Sequence, residues 1–185
     1  MKAYFTTSIV GKKLYLADYI AIVQALKNLK YTVTADHILN TRPEDLGFET
    51  SEERHAFHEK LEAWIRTSDI FVANTSFPSI SVGYEISMAL HFNKPVLLLH
   101  HTSVEAPSLL IDYKTDEVLC EAYTRESLST IIADFVNYAK SKAESRFTFF
   151  ITPEISSYLS RVAKKNKIPK SVYLRQLIEK DMKSS

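Results

Sequence analysis

The sequence predicts an α/β fold, a five-stranded, mostly parallel Rossmann-like sheet covered by helices on both faces, followed by a small separate module. Three observations carry this reading. Short apolar runs rich in β-branched and aromatic residues alternate with helical patterns as far as residue 142, which is how a parallel sheet buried on both sides reads. The stretch from Asp69 to Leu99 forms a complete strand, loop, helix, strand unit. Charge then divides the chain: residues 1–139 hold 12 Lys and Arg against 18 Asp and Glu, whereas residues 140–185 hold 11 against 4. Such asymmetry predicts two modules, 1–142 and 145–183, the second suited to a polyanion or simply carrying a solvated, lysine-rich face.

Each element follows in order. Lys2 to Thr7 reads as the first strand. Lys12 to Leu29 reads as a helix, with Tyr15, Tyr19, Ile22, Val23 and Leu26 on one apolar stripe. Tyr31 to Ala35 is the second strand, and a polar loop through Arg42-Pro43-Glu44-Asp45 leaves it. Thr50 with Glu53 has the form of a capping box, opening a helix that carries Phe57, Leu61, Trp64 and Ile65. Asp69 to Ala73 is the third strand, Asn74 to Pro78 breaks the pattern, and Ser79 opens a helix running to Phe92. Pro95 to Leu99 is the fourth strand. Thr102 to Tyr113 is irregular, Val118 to Cys120 is the fifth strand, and Arg125 to Lys142 is a closing helix. The start of the helix at Ser79 falls at the carboxyl edge of the sheet, where α/β folds keep their ligands. Glu85, in that helix, is therefore aimed at the expected crevice.

The tail has a different rhythm. Arg146 to Ile151 alternates as a strand, with Phe147, Phe149 and Ile151 on one side and Arg146, Thr148 and Phe150 on the other. Thr152-Pro153 is a cap followed by proline at the first helical position. Ile155, Tyr158, Leu159 and Val162 mark a helix ending near Asn166, and Lys170-Ser171 starts a second helix around Leu174, Leu177 and Ile178.

Composition narrows the function classes. An apolar content of 45% with moderate charge, no apolar run long enough to span a bilayer and no leader pattern lead us to expect a cytoplasmic, non-membrane protein. Cys120 is the single cysteine, so an internal disulfide and a thiolate cage are excluded, and a plain buried thiol is expected. With three glycines in the chain there is no glycine-rich phosphate loop. His100-His101 lacks a second pair at metal spacing, so neither metal nor cofactor is expected.

Pro78-Ser79-x-x-Val82-Gly83-Tyr84-Glu85-x-x-x-Ala89, followed by Asn93-Lys94-Pro95-Val96, resembles the signature of the nucleoside 2-deoxyribosyltransferase superfamily. The branch of 2′-deoxynucleoside 5′-phosphate N-hydrolases is the nearer likeness. Tyr4-Phe5-x-x-Ser8-Ile9, His37 and Trp64 add to it, and the resemblance spans residues 1–140. It implies cleavage of an N-glycosidic bond, by hydrolysis or transfer, with Glu85 as the nucleophile beneath the anomeric carbon. A glutamate in a helix's first turns is alternatively placed there by the dipole. Tyr4 corresponds to a tyrosine that contacts the nucleophile, or is an ordinary core tyrosine. Ser8, Ile9 and Gly83 fall in the implied substrate site, and His37 near the base. Ser79 stands where transferases of unphosphorylated nucleosides hold an aspartate, so serine favours a 5′-phosphate, or merely caps its helix.

Two departures accompany the likeness. The superfamily places an aspartate three residues before the helix tryptophan, and this chain has Leu61. The hydrolases place an arginine after Ser-Ile, and this chain has Val10, leaving Lys12 or Lys13 to supply charge. A missing general acid costs about 10²–10⁴-fold in rate. The departures leave open an alternative to the enzyme: a nucleotide-sensing transcriptional regulator with weak or no catalysis.

The tail resembles the ribbon-helix-helix module of DNA-binding regulators, although Lys167 stands where glycine is usual. That resemblance implies a homodimer whose paired strands point Arg146, Thr148 and Phe150 into the major groove of double-stranded DNA, with Lys170 and Ser171 against phosphate. The alternative is a dimer clip alone. Relatives of the first module share sites across subunits, so a dimer or a tetramer fits.

Overall fold

The computed structural model describes residues 1–45, 47, 50–105, 118–145, 151–166 and 170–182. Five strands, β1 (Lys2–Thr7), β2 (Thr32–Thr34), β3 (Ile70–Asn74), β4 (Val96–His101) and β5 (Val118–Tyr123), form one sheet in the order β2-β1-β3-β4-β5. Every pairing is parallel, with Tyr4 opposite Phe71 and Phe71 opposite Val96. The order reverses direction at β1 and β3, and the carboxyl ends of those strands open the crevice.

Helices cover both faces. α1 (Lys12–Asn28) and the closing helix α5 (Leu128–Ser145) cover one, α3 (Ser51–Thr67) and α4 (Ile80–His91) the other. Strand alternation sends Ala3, Phe5, Ile70, Val72, Leu97 and Leu99 to the first face and Tyr4, Phe71, Ala73, Val96 and Leu98 to the second. The Thr50–Glu53 capping box forms as expected: Glu53 N donates to Thr50 Oγ1 at 3.2 Å and Thr50 N to Glu53 Oε2 at 2.8 Å. Asn93 ends α4 in the left-handed region at φ 53°. Lys94 then returns its ammonium to the Arg66 and Ser68 carbonyls at 2.6 and 2.8 Å, clamping α3 to the start of β4.

Four differences from the sequence reading have physical causes. The segment after β2 is not all loop: Asp36–Leu39 forms a short helix, α2, followed by a 3₁₀ turn at Pro43–Asp45. β4 and β5 extend into polar residues, because His100 is buried and the His101 N–H is bound by Ser76 Oγ at 2.9 Å. α5 starts at Leu128, since Thr124 and Ser127 exchange side-chain-to-backbone hydrogen bonds ahead of it. Cys120 is half-buried rather than buried, and burial raises its thiol pKa.

The chain divides into two compact units, Met1–Glu144 and Ser145–Ser185. In the second, α6 (Pro153–Asn166) is amphipathic, with Leu159 and Ala163 buried, and α7 (Lys170–Met182) lies against it, the Tyr158 and Tyr173 hydroxyls 3.5 Å apart. Thr152 caps α6, accepting from Ile155 N at 3.4 Å. Most of the strand expected at 146–151 lies outside the described residues. Among the described residues no helix is long and apolar enough to cross a membrane.

Candidate active site

A cleft of about 730 Å³ opens at the carboxyl ends of β1 and β3. Its walls include Thr7, Ser8, Ile9 and Val10 after β1, His37 and Thr41 from the α2 region, Arg54, Phe57 and Lys60 from α3, and Ser79, Ser81 and Glu85 from α4. Two helix N-termini flank it: α1 begins next to the Ser8–Gly11 loop, and α4 begins at Ser79, whose Oγ accepts from Val82 N at 3.4 Å.

Three side chains from three elements meet at its floor. The Tyr4 hydroxyl, on β1, donates to Glu85 Oε2 on α4 at 2.9 Å and lies 2.9 Å from His37 Nε2 on α2. Tyr4 has one hydroxyl proton, and it goes to the carboxylate. His37 therefore carries its proton on Nε2 and donates to the Tyr4 oxygen. That tautomer leaves Nδ1 as a bare, buried nitrogen with no partner. Burial drives the imidazole pKa down to about 4 against the opposing charge of Asp36, so the ring is neutral at pH 7. It stacks against Tyr4 at 5.3 Å and leans on Trp64 at 5.2 Å.

Glu85 is 6% exposed. Burial raises its carboxyl above the ordinary 4.5, and the hydroxyls of Thr6 and Tyr4 pull it back. Thr6 Oγ1 lies close enough to exert that pull without completing a hydrogen bond of its own. Burial, and then the Glu85 charge, push the Tyr4 phenol far above its usual range, so it stays a donor throughout the working pH range. Chemically this is a desolvated carboxyl held by the fixed Tyr4 O–H at the wall of the cleft.

The residues singled out in the sequence separate into groups. Tyr4, His37 and Glu85 are joined by hydrogen bonds, and Ser8, Ile9 and Ser79 line the same cleft. Gly83 does not reach it: it sits on the exposed side of α4, where an added Cβ would meet nothing within 4 Å. Its motif neighbour Tyr84 also points outward, 2.6 Å from His58 Nε2. Lys12 is not part of the cleft lining, and its ammonium is held by the Leu39 and Thr41 carbonyls at 2.9 and 2.5 Å. Cations at the cleft come instead from Arg54 and Lys60. Leu61 is buried in the core cluster with Tyr4 and Ile65. Sequence reasoning missed Thr6, which strand alternation from Tyr4 could have found, and Phe57, one heptad before Trp64 on the same side of α3. Among the described residues no group of three metal-ligating side chains occurs. Arg146, Thr148 and Phe150 lie outside the described residues, whereas Lys170 is exposed and Ser171 stands at the start of α7.

No family model matches the chain. It is 33% identical over 131 residues to the provisionally named 2′-deoxynucleoside 5′-phosphate N-hydrolase 1 of Syntrophotalea carbinolica, covering 71% of this chain and 89% of that one. It is 29% identical over 143 residues to the 5-hydroxymethyl-dUMP N-hydrolase of Tetraodon nigroviridis, covering 76% of this chain and all of the relative. Among solved structures it is similar in fold to the 2-deoxyribosyltransferase of Bacillus psychrosaccharolyticus, with a TM-score of 0.53 at 20% identity over 70% of this chain and 90% of that one.

Proposed function

Because this chain belongs to the 2′-deoxynucleoside 5′-phosphate N-hydrolase family, we propose that it hydrolyses the N-glycosidic bond of a (deoxy)nucleoside 5′-monophosphate with Glu85 as nucleophile. The observation that carries this is the buried Tyr4–Glu85 pair, 2.9 Å apart, at the floor of a cleft flanked by two helix N-termini. A Glu85 carboxylate oxygen attacks the anomeric carbon as the bond to the base breaks, and the base leaves with the electron pair and takes a proton from solvent. Water then cleaves the glycosyl ester, returning Glu85 as a carboxylate. Tyr4 keeps its proton throughout and holds Glu85 Oε2. His37 holds Tyr4 from behind, and its ring with Phe57 and Trp64 forms an aromatic wall suited to a base. The 5′-phosphate sits between the loop at Ser8–Ile9 and the start of α4 at Ser79, where the positive end of the helix dipole attracts an anion.

The second unit gives this enzyme a dimerising, DNA-facing tail of the ribbon-helix-helix kind. Its support is exposed apolar surface: Ile155, Tyr158, Leu177 and Ile178 stay exposed, beside exposed Lys164, Lys165 and Lys170. Apolar surface of that kind is covered by a second copy, and the lysines face phosphate.

Release of free base from a panel of nucleosides and 5′-monophosphates, run beside Glu85→Gln, tests the hydrolase. Base release from monophosphates that the substitution abolishes is the expected result. No release from any compound by protein that binds a nucleotide would overturn it. For the tail, the full chain should bind duplex DNA with an affinity that falls steeply between 50 and 200 mM salt, by about 10³-fold or more if six phosphates are contacted.

A further inference from the structure

We infer that Tyr123, Asn74 and Asp18 form a positioning latch that holds the 74–79 loop, and with it Ser79, at the phosphate end of the cleft. The inference rests on the hydrolase reading above and adds residues to it. The three are far apart in sequence and come together behind the loop, on the sheet face opposite Tyr4. Asn74 Oδ1 accepts from Ser76 N at 3.0 Å, which fixes the orientation of the amide. Its Nδ2 then donates to the Tyr123 hydroxyl at 2.8 Å, and that hydroxyl donates to Asp18 Oδ2 at 3.2 Å. Asn74 and Tyr123 are fully buried.

The latch ties the loop to three elements: β3 through Asn74, the end of β5 through Tyr123, and α1 through Asp18. Further bonds restrain the same loop, as Thr7 Oγ1 donates to Asn74 O at 3.0 Å and Thr75 N to Leu99 O at 2.7 Å. Phe77, in the same loop, packs so closely on Gly11 that an added Cβ there would stand 2.7 Å from the Phe77 Cβ. The loop at Ser8–Gly11 and the loop at 74–79 are thus one braced pair, and the spacing between them is the width of the phosphate end. A three-part hydrogen-bond chain, buried at Asn74 and Tyr123 and half-buried at Asp18, is a demanding way to anchor a loop that only has to connect β3 to α4. Removing a member costs its neighbour a hydrogen bond, and loss of the Tyr123 hydroxyl costs both Asn74 and Asp18 one.

Tyr123→Phe keeps the ring and its packing against His101 but removes the acceptor of Asn74 Nδ2 and the donor to Asp18. In the full-length chain, the KM for a 5′-monophosphate should rise about tenfold with kcat within about threefold, while the KM for the parent nucleoside stays put. Asp18→Asn retains an acceptor for Tyr123 and should restore near-normal KM, whereas Asp18→Ala should behave like Tyr123→Phe. Calorimetric Kd values for the same two ligands give a readout free of turnover. An unchanged ratio of monophosphate to nucleoside affinity, or equal losses for both ligands, would overturn the latch. Wild-type protein that binds but releases no base would sink the hydrolase reading alone and leave the Kd ratio to judge the latch. Wild-type protein that binds neither ligand would overturn both.

Discussion

The two faces of the sheet are built from the same five strands by alternation, yet they carry different loads. Toward α1 and α5 the strands send Ala3, Phe5, Ile70, Val72, Leu97 and Leu99, and the interior is apolar until the carboxyl edge. Toward α3 and α4 they send Tyr4, Phe71, Ala73, Val96 and Leu98, and that layer includes Tyr4 bonded to a buried carboxylate. One face maximises burial, and the other accepts a desolvated charge in order to present it. A one-residue slip in β1 would exchange Tyr4 and Thr6 for Phe5 and Thr7 and abolish the site without changing composition.

Neighbouring leucines make the comparison breakable. Leu97 and Leu98 are both fully buried in β4, on opposite faces. Replacing either by alanine should cost about 2–5 kcal/mol of stability, read from the shift of a denaturant midpoint. The faces should then part company. Leu98→Ala, in the Tyr4 cluster, should also lower kcat, whereas Leu97→Ala should leave the kinetics of the folded fraction intact. Equal kinetic effects would mean that the faces are not separable.

Within the site face, Tyr4→Phe sharpens the same contrast. The ring stays packed on Phe71, but Glu85 loses its hydroxyl donor. A hydrogen bond to a charged group is worth about 1.5–3 kcal/mol, so kcat should drop about 10–100-fold. Loss of a pull that held the Glu85 pKa down should also move the acidic limb of the pH–rate profile upward. A profile that does not move would place Tyr4 with the core residues instead.

Much of this was legible in the chain because the decisive signals are local. Strand runs, the Thr50–Glu53 box and the helix starting at Ser79 each depend on a few adjacent residues. Glu85 and Tyr4 were marked by the resemblance of their motifs. What was not legible depends on distance in sequence. Asp18 and Tyr123 meet 105 residues apart, and neither belongs to a motif. Lys12 looked free because the carbonyls that hold it, at Leu39 and Thr41, come from a helix and turn read as loop. His37 was marked, but its neutral state follows from burial that a linear pattern does not contain. Gly83 is a motif position that the fold turns outward, which the linear pattern does not reveal.

Ser79→Asp asks whether the cleft's anion end belongs to the face or to the helix terminus. Aspartate caps a helix as well as serine does, so α4 should be retained. Its charge repels a 5′-phosphate, and the KM for monophosphates should rise about tenfold, equivalent to about 1.4 kcal/mol. The nucleoside KM should be unaffected. Parallel losses for both substrates would assign Ser79 to capping alone.

The smallest effect concerns what the site face costs the fold. Burial raises the Glu85 pKa in the folded state above its ordinary 4.5. Between those two values the unfolded chain has lost the proton that the folded chain keeps, so stability falls as pH rises through that window and stays reduced above it. Below the ordinary value both states are protonated and the penalty vanishes. Glu85→Gln removes the charge and can still accept from Tyr4 through its amide oxygen. The variant should therefore be more stable than the wild type at pH 7, with an advantage that shrinks on acidification and is gone below about pH 4. Denaturant midpoints at the two pH values measure it. A glutamine variant that is less stable at pH 7 would show that the Tyr4 and Thr6 hydroxyls outweigh burial, and that this face of the sheet stabilises its carboxylate as thoroughly as the other stabilises its leucines.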